Sequence, residues 1–264
     1  MQVEERIIPY KRPDIFRIYP ISCTHYGTVH CAEEEIDHQF GLIKRDKLAR
    51  WVGLGDYGEF IAPGDKRFDR KVISKWVDPD NIAVSQTEYI VKKFRPIISQ
   101  CDGLLEGNHE DGHRLHNNVD VQRNLCHELG VPNLGYNCFI RYLFKRGLET
   151  RSRIGYFTHG SGWAVTKGAK LNRLERMMDS FEADFYAHAH VHDIITTTKH
   201  YLVLDRKNRI IQETKVGAMT GCWFRTYSQD VSASYGAKKN YPPTAIGCPV
   251  FIINPDKGEL RVEG

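Results

Sequence analysis

The chain has 264 residues, of which 41% are hydrophobic and 27% are charged. This is the composition of a globular protein and excludes a collagen-like repeat, a coiled coil and a disordered tail. The 37 Lys and Arg against 33 Asp and Glu give a formal net charge of +4, which permits an anionic partner without requiring one. Twelve His and seven Cys are residue types that metal sites use, so we expect a globular protein with many potential metal ligands.

The first half of the chain alternates short apolar runs with stripes of apolar residues at helical spacing. The predicted elements, in chain order, are strand 15–22, helix 32–50, strand 51–54, helix 85–99, strand 103–106 and helix 119–130. The last helix ends at Gly130, a common helix-ending residue. The stretch 59–80 is rich in Gly, Pro, Lys and Asp, and we predict that it forms a loop outside the core.

The second half is richer in strands and hairpins. The predicted elements are strands 138–144 and 153–158, helix 168–182, strand 185–187, a hairpin over 194–216 with its turn at 205–208, and a hairpin of 250–253 with 259–262. The segment 218–248 is rich in Gly, Ser, Tyr and Pro and has little periodicity. We predict one domain over 1–264, of the α/β (α+β) class, with sheet layers flanked by helices and completed by the hairpins of 194–264.

The cysteines and the termini indicate a reducing environment. The seven cysteines contain no Cys-x-x-Cys pair, and most lie among apolar residues, where a cysteine is a small buried hydrophobe. Residues 1–12 carry charges of both signs and no apolar run, which predicts no signal peptide. No apolar run has the length of a membrane helix, so we expect no membrane partner and a cytoplasmic location.

Five polar clusters follow predicted strands. They are Cys23-Thr24-His25, Gly55-Asp56-Tyr57-Gly58-Glu59, Gly107-Asn108-His109-Glu110, His159-Gly160 and His188-Ala189-His190. Strand carboxyl ends share one edge in sheets with helical crossovers, and ligand sites gather there. Each cluster supplies N, O or S donors for a divalent metal, so the five together predict a metal site.

These clusters, in this order, resemble those of the calcineurin-like metallophosphoesterase superfamily. Its pattern is Asp-x-His, Gly-Asp-x-x-Asp/Glu, Gly-Asn-His-Asp/Glu, a lone His and Gly-His-x-His. The resemblance covers about residues 15–192, and residues 220–227 and 241–249 are more weakly similar to small phage and prophage members. It implies a two-layer β-sandwich with helices on both outer sides and two divalent metal ions, with Zn, Fe or Mn expected.

The resemblance also implies a role for each matching residue. The implied ligands are Cys23, His25 and His190 for the first ion, Asn108, His159 and His188 for the second, and Asp56 as the bridge between them. His109 would lie beside the phosphate, to stabilise charge or to protonate the leaving oxygen. Glu59 would orient His109, with Glu110 or Asp111 as local alternatives. Six further histidines are expected to be surface or core residues: His38, His113, His116, His127, His192 and His200.

Three departures from the family pattern bear on function. Cys23 stands where the family has Asp, and a thiolate favours Zn or Fe over Mg or Ca. Phe60 and Glu106 occupy positions where protein Ser/Thr phosphatases of the superfamily have phosphate-binding Arg, which argues against that subgroup. Ala187 replaces the Gly before His188, a mild change.

The predicted function is hydrolysis of a phosphomonoester or phosphodiester substrate by a hydroxide held between the two ions. Basic and aromatic residues add support for a nucleic-acid or nucleotide substrate: Arg67, Arg70, Lys71, Lys238 and Lys239, with Tyr235 and Tyr241 beside the last two. The alternative is a catalytically inactive member that serves as a binding module, which Cys23 favours and the other intact site residues oppose. A redox-sensitive hydrolase, with Cys23 as the oxidised group, is a third hypothesis.

Overall fold

Two mixed β-sheets form the centre of the computed structural model, which describes residues 1–162 and 164–264. The strands are β1 (Gln2–Pro9), β2 (Phe16–Ile21), β3 (Ala49–Gly53), β4 (Cys101–Leu104), β5 (Asn137–Arg146), β6 (Glu149–Thr158), β7 (Phe185–His188), β8 (Ile194–Leu204), β9 (Ile210–Thr220), β10 (Val250–Asn254) and β11 (Glu259–Glu263). One sheet has the order β1-β5-β6-β7-β9-β8 and the other has the order β11-β10-β2-β3-β4.

The helices of the described residues are α1 (Glu33–Arg45), α2 (Ile82–Phe94), α3 (Asn108–Asn117), α4 (Val121–Leu129), α5 (Lys167–Ser180) and the short α6 (Tyr235–Lys238). Four of them cover the outer faces of the sheets. The first, second and fourth helices pack on the five-stranded sheet through residues such as Ile36, Phe94 and Leu125. Helix α5 packs on the six-stranded sheet through Leu174 and Met178. None of the described helices is long and apolar enough to cross a bilayer.

The main core lies between the two sheets. Val52 and Phe251 of one sheet meet Tyr142, Phe157 and Phe185 of the other in a single cluster of buried side chains. Alternate residues of each strand face this layer, since successive side chains of a strand point to opposite faces. The predicted two-layer α/β sandwich flanked by helices is therefore confirmed.

Two elements differ from the sequence prediction. The N-terminal segment, considered only for targeting, forms strand β1, which pairs in parallel with β5 at the edge of the six-stranded sheet. The polar cluster at Gly107–Glu110, for which no element was predicted, opens helix α3. The 59–80 stretch contains only a short 3-10 helix at Arg70–Val72, in keeping with its prediction as a loop.

Candidate metal centre

The five polar clusters meet at one edge of the sandwich. Strands β2, β3 and β4 are parallel neighbours in one sheet, and β6 and β7 are parallel neighbours in the other. Each of these strands ends immediately before or within one of the clusters. The parallel order therefore places all the predicted site residues at carboxyl ends of strands.

The loops after β3 and β4 are held together by a buried carboxylate and a close backbone approach. Glu110, fully buried, accepts hydrogen bonds from the backbone N–H groups of Asp56, Tyr57 and Gly107 at 2.7–2.9 Å. Gly55 has φ +85°, and a Cβ there would lie 2.4 Å from the backbone nitrogen of Gly107. The Glu110 carboxylate thus positions Asp56. It does not orient His109, the alternative role that was predicted for Glu110.

The first donor group consists of Cys23, His25, Asp56 and His192. One ligand atom from each lies within 4.8 Å of the others, and the two histidine Nε2 atoms are 3.3 Å apart. His25 Nδ1 is 3.0 Å from a Glu59 carboxylate oxygen, so its Nε2 is the atom that faces the group. Three of the four residues are buried, and together they form a set of N, O and S donors that suits Zn or Fe.

The second donor group consists of Asp56, His159 and His190, again with their ligand atoms within 4.8 Å of one another. His159 Nδ1 donates to the carbonyl of Leu54 at 2.6 Å, and its Nε2 lies 3.1 Å from Asn108 Oδ1 and 3.3 Å from Asp56 Oδ2. His159 Nε2 therefore faces two oxygens that carry lone pairs, and either a proton on Nε2 or a cation must lie between them. A cation among these atoms would satisfy all of them.

His109 and Glu59 are neighbours, but not in the expected arrangement. His109 Nδ1 donates to the backbone carbonyl of Glu59 at 2.6 Å, and its backbone N–H donates to Asp56 Oδ1 at 3.0 Å. The Glu59 carboxylate accepts its hydrogen bond from His25, and its oxygen lies within 4.8 Å of a ring nitrogen of His109. Asp111, the other alternative, pairs with Arg114. Glu59 thus fixes the His109 ring through its main chain.

The histidines after β7 are distributed differently from the prediction. His188 lies outside both donor groups: its Nδ1 donates to the carbonyl of Ala189 at 2.8 Å, and its ring packs on Gly160. His190 joins His159 instead of Cys23, and His192, expected to be a surface or core residue, joins Cys23 and His25. The pattern small-His-x-His occurs twice in residues 187–192, once from Ala187 and once from Ala189. The two histidines of the second occurrence, His190 and His192, are the ones that enter the two donor groups, one in each.

Burial makes His190 and His192 good metal donors. It lowers the pKa of His190 to about 4 and that of His192 well below its usual value, so both imidazoles are neutral at pH 7 and keep a lone pair. His190 Nδ1 is also buried without a hydrogen-bond partner in the described chain. Burial, with Asp56 and Cys222 adding, raises the pKa of the Cys23 thiol, so its deprotonation requires a cation beside it. The residues present therefore fit a divalent metal.

Asp56 is the charged centre of the arrangement. It is 1% exposed, and burial alone would raise its pKa, but the facing rings of His159, His109 and His25 hold that pKa well below the usual value. In return, Asp56 raises the pKa of His159 against the effect of burial. Asp56 is ionised at neutral pH, and it belongs to both of these donor groups. A third set of donors in the described chain, His25, Glu59 and His109, adjoins the first group through His25.

Comparison with known proteins adds little to this geometry. The sequence matches no family model and no curated protein. Among solved structures it is similar to Vps29 of Chaetomium thermophilum, with 14% sequence identity, a TM-score of 0.35, and coverage of 94% of this chain and 93% of that one. A likeness at that TM-score supports no statement about function. The side chains at the strand ends are therefore the basis for a functional proposal.

Proposed function

We propose that this chain is a metal-dependent phosphoesterase that hydrolyses a phosphomonoester or a phosphodiester. The observation that carries the proposal is Asp56, whose carboxylate belongs to two adjoining groups of metal donors. Such a carboxylate can offer one oxygen to each of two ions, and paired ions are a recurrent device for phosphoryl transfer. The donors Cys23, His25 and His192 on one side and Asn108, His159 and His190 on the other complete the two sites of the proposal.

Two divalent cations, with Zn, Fe or Mn expected, would supply Lewis-acid polarisation of the phosphoryl group. The chain's own residues supply proton transfer and orientation. His109 donates from Nδ1 to Glu59, which leaves Nε2 as the atom that can give a proton to the leaving oxygen. The Glu59 carboxylate accepts from His25 Nδ1 and so directs His25 Nε2 towards the first donor group.

The test combines metal analysis with hydrolysis of 4-nitrophenyl phosphate and bis(4-nitrophenyl) phosphate. We expect bound Zn or Fe in the purified chain, and turnover that a chelator abolishes and added metal restores. Asp56→Asn should lose both metal and turnover. His109→Gln should keep the metal and lose about 100-fold or more in kcat, the usual contribution of a positioned general acid. His116→Gln, an exposed histidine on the same helix, is the matched control and should be unchanged.

The outcomes separate the two hypotheses. A chain that binds metal but hydrolyses neither ester, nor DNA or RNA, would contradict the proposal and support the inactive binding module. A His109→Gln variant with wild-type turnover would remove His109 from the mechanism.

A further inference from the structure

The candidate metal centre forms the floor of a large cleft. Two segments that contribute few of the metal donors form much of its walls. The cleft has a volume of about 490 Å³, within the range of small-molecule sites and far larger than a phosphate ion requires. One wall is formed by the 59–80 loop and the wall opposite by residues 224–244, and Gly162, Ala164, Val165 and Lys170 also line the cleft. The chemistry of these walls, and not that of the floor, would select the alcohol part of an ester.

Arg67 gives the loop wall a fixed cation. Its Nε and Nη2 donate to both carboxylate oxygens of Asp65 at 2.7–3.2 Å, which holds the guanidinium plane and leaves Nη1 for another acceptor. The side chain is 31% exposed and lines the cleft with Asp56, Glu59 and His109. Burial raises the pKa of Glu59, and the facing histidines His25 and His109 lower it. Arg67 adds a smaller lowering of the same pKa. A fixed guanidinium beside the donors suits a phosphate oxygen.

The opposite wall is aromatic. Tyr235, the first residue of α6, is 44% exposed and lines the cleft with Phe224 and Pro242. Lys239 lies over the Tyr235 ring, with its Nζ 5.9 Å from the ring centroid. An exposed aromatic ring in a concave site, with a cation nearby, is a stacking surface for a flat ring system.

The two walls are joined by an ion pair. Lys238 Nζ lies 2.9 Å from a carboxylate oxygen of Asp69, so the loop and the aromatic wall are tied together beside the cleft. The start of the loop wall is anchored as well, since Phe60 donates from its backbone to the buried Gln86.

We propose that the cleft binds a phosphoester of mononucleotide size, with its phosphate held by Arg67 and its flat aromatic group against Tyr235. The proposal rests on the proposed function in placing the phosphate at the metal centre. It assigns to Arg67 the phosphate contact that Phe60 and Glu106 do not provide at the positions where the superfamily's protein phosphatases have arginine.

The test is a comparison of adenosine 5′-monophosphate with ribose 5-phosphate, which share the sugar and the phosphate and differ by the base. Binding is measured by calorimetry to the metal-loaded His109→Gln chain, so that the ligand is not consumed. We expect adenosine 5′-monophosphate to bind about tenfold more tightly or better. Tyr235→Ala should remove this difference, and Tyr235→Phe should retain it.

Arg67 is tested in the same assay. Arg67→Ala should weaken both ligands by about 10- to 100-fold, the effect of losing a charge-assisted hydrogen bond. Arg67→Lys keeps the positive charge but not the planar pair of N–H donors, so it should recover part of the lost affinity. Arg70→Ala is the matched control, because Arg70 is exposed in the same loop and does not line the cleft.

Equal affinity for the two ligands, or an Arg67→Ala variant no weaker than Arg70→Ala, would overturn this proposal, and so would an oligonucleotide that binds more than tenfold better than the mononucleotide. If the 4-nitrophenyl esters are hydrolysed but the two ligands bind alike, this proposal fails and the phosphoesterase stands. If the mononucleotide binds through Tyr235 but no ester is hydrolysed, the phosphoesterase fails and the binding site stands.

Discussion

At the scale of single residues, the candidate site is marked by backbone strain as well as by donor chemistry. Cys23, His25, Asp56, His190 and His192 all have φ between 48° and 69°, in the left-handed region that non-glycine residues rarely adopt. Each such residue costs of order 1 kcal/mol or more and persists only where the surrounding structure imposes it. All four members of the first donor group carry this conformation. The surrounding structure therefore imposes the backbone conformation that directs these side chains into the candidate site.

The distribution of the histidines after β7 gives a prediction at this scale. His192→Ala and His190→Ala should each lower the metal content by about one ion per chain, because each removes a donor from a different group. His188→Ala should keep the full metal content, since His188 lies outside both donor groups, with its Nδ1 bonded to the Ala189 carbonyl and its ring packed on Gly160. The measurement is metal analysis after dialysis against metal-free buffer. Loss of metal from His188→Ala, with full metal content in His192→Ala, would contradict this assignment and support the sequence prediction, in which His188 and His190 are the ligands.

At the scale of elements, the two sheets are linked by a buried ion network around Asp102 of β4. Asp102 is fully buried and accepts from Arg50 of β3 and from the hydroxyl of Tyr142 of β5, with Arg6 of β1 3.2 Å away. Asp102→Ala should lower the free energy of unfolding by about 3–5 kcal/mol, because the buried Tyr142 hydroxyl loses its acceptor and the partly buried guanidinium groups of Arg50 and Arg6 lose their shared carboxylate. Urea unfolding gives the value.

Asp179→Ala is the control for that experiment. Asp179 pairs with Lys199 at the surface and is 60% exposed, so its removal should cost no more than about 1 kcal/mol. Equal destabilisation by the two substitutions would mean that the Asp102 network does not link the sheets energetically.

The elements also show what the sequence can and cannot predict. Helices α1, α2 and α5 were predictable because their apolar residues recur with helical spacing. The two hairpins were predictable because runs of strand-forming residues flank recognisable turn sequences. Helix α3 was missed because its sequence, NHEDGHRLHN, is polar on most of its surface, and its start is fixed by Glu110 bonding to the backbone of Gly107. Strand β1 was missed because its stability depends on pairing with β5, more than a hundred residues away.

The candidate site was predictable in its residue types but not in its pairings. Strand-end position identified Cys23, Asp56 and His159, since a strand's end is a local property of the sequence. Which histidine faces which donor group depends on the backbone at His190 and His192, where φ is positive. The sequence holds two equivalent small-His-x-His patterns, so it offers no local feature that selects one pair of histidines over the other.

At the scale of the whole molecule, the buried histidines couple folding to pH. Burial lowers the pKa of His188 and of His190 to about 4 from an unfolded value of 6.5. The unfolded chain therefore binds more protons between pH 6.5 and 4, and the native state loses stability as the pH falls through that range. A difference of about 2.5 in pKa corresponds to ~3 kcal/mol for each group. His25 and His159, whose pKa values are raised, act in the opposite direction.

We expect the histidines with lowered pKa values to determine the pH dependence of stability, because the pKa values of His192 and His30 are lowered as well. In the presence of a chelator, the urea midpoint should therefore fall between pH 7.5 and pH 5. His188→Gln should reduce that fall, since glutamine does not titrate, and the exposed His116→Gln should leave it unchanged. Added Zn or Mn should raise the midpoint at pH 7.5 more than at pH 5, because protons and metal compete for the same nitrogens. A metal-free midpoint that is equal at the two pH values would show that these histidines do not couple protonation to folding.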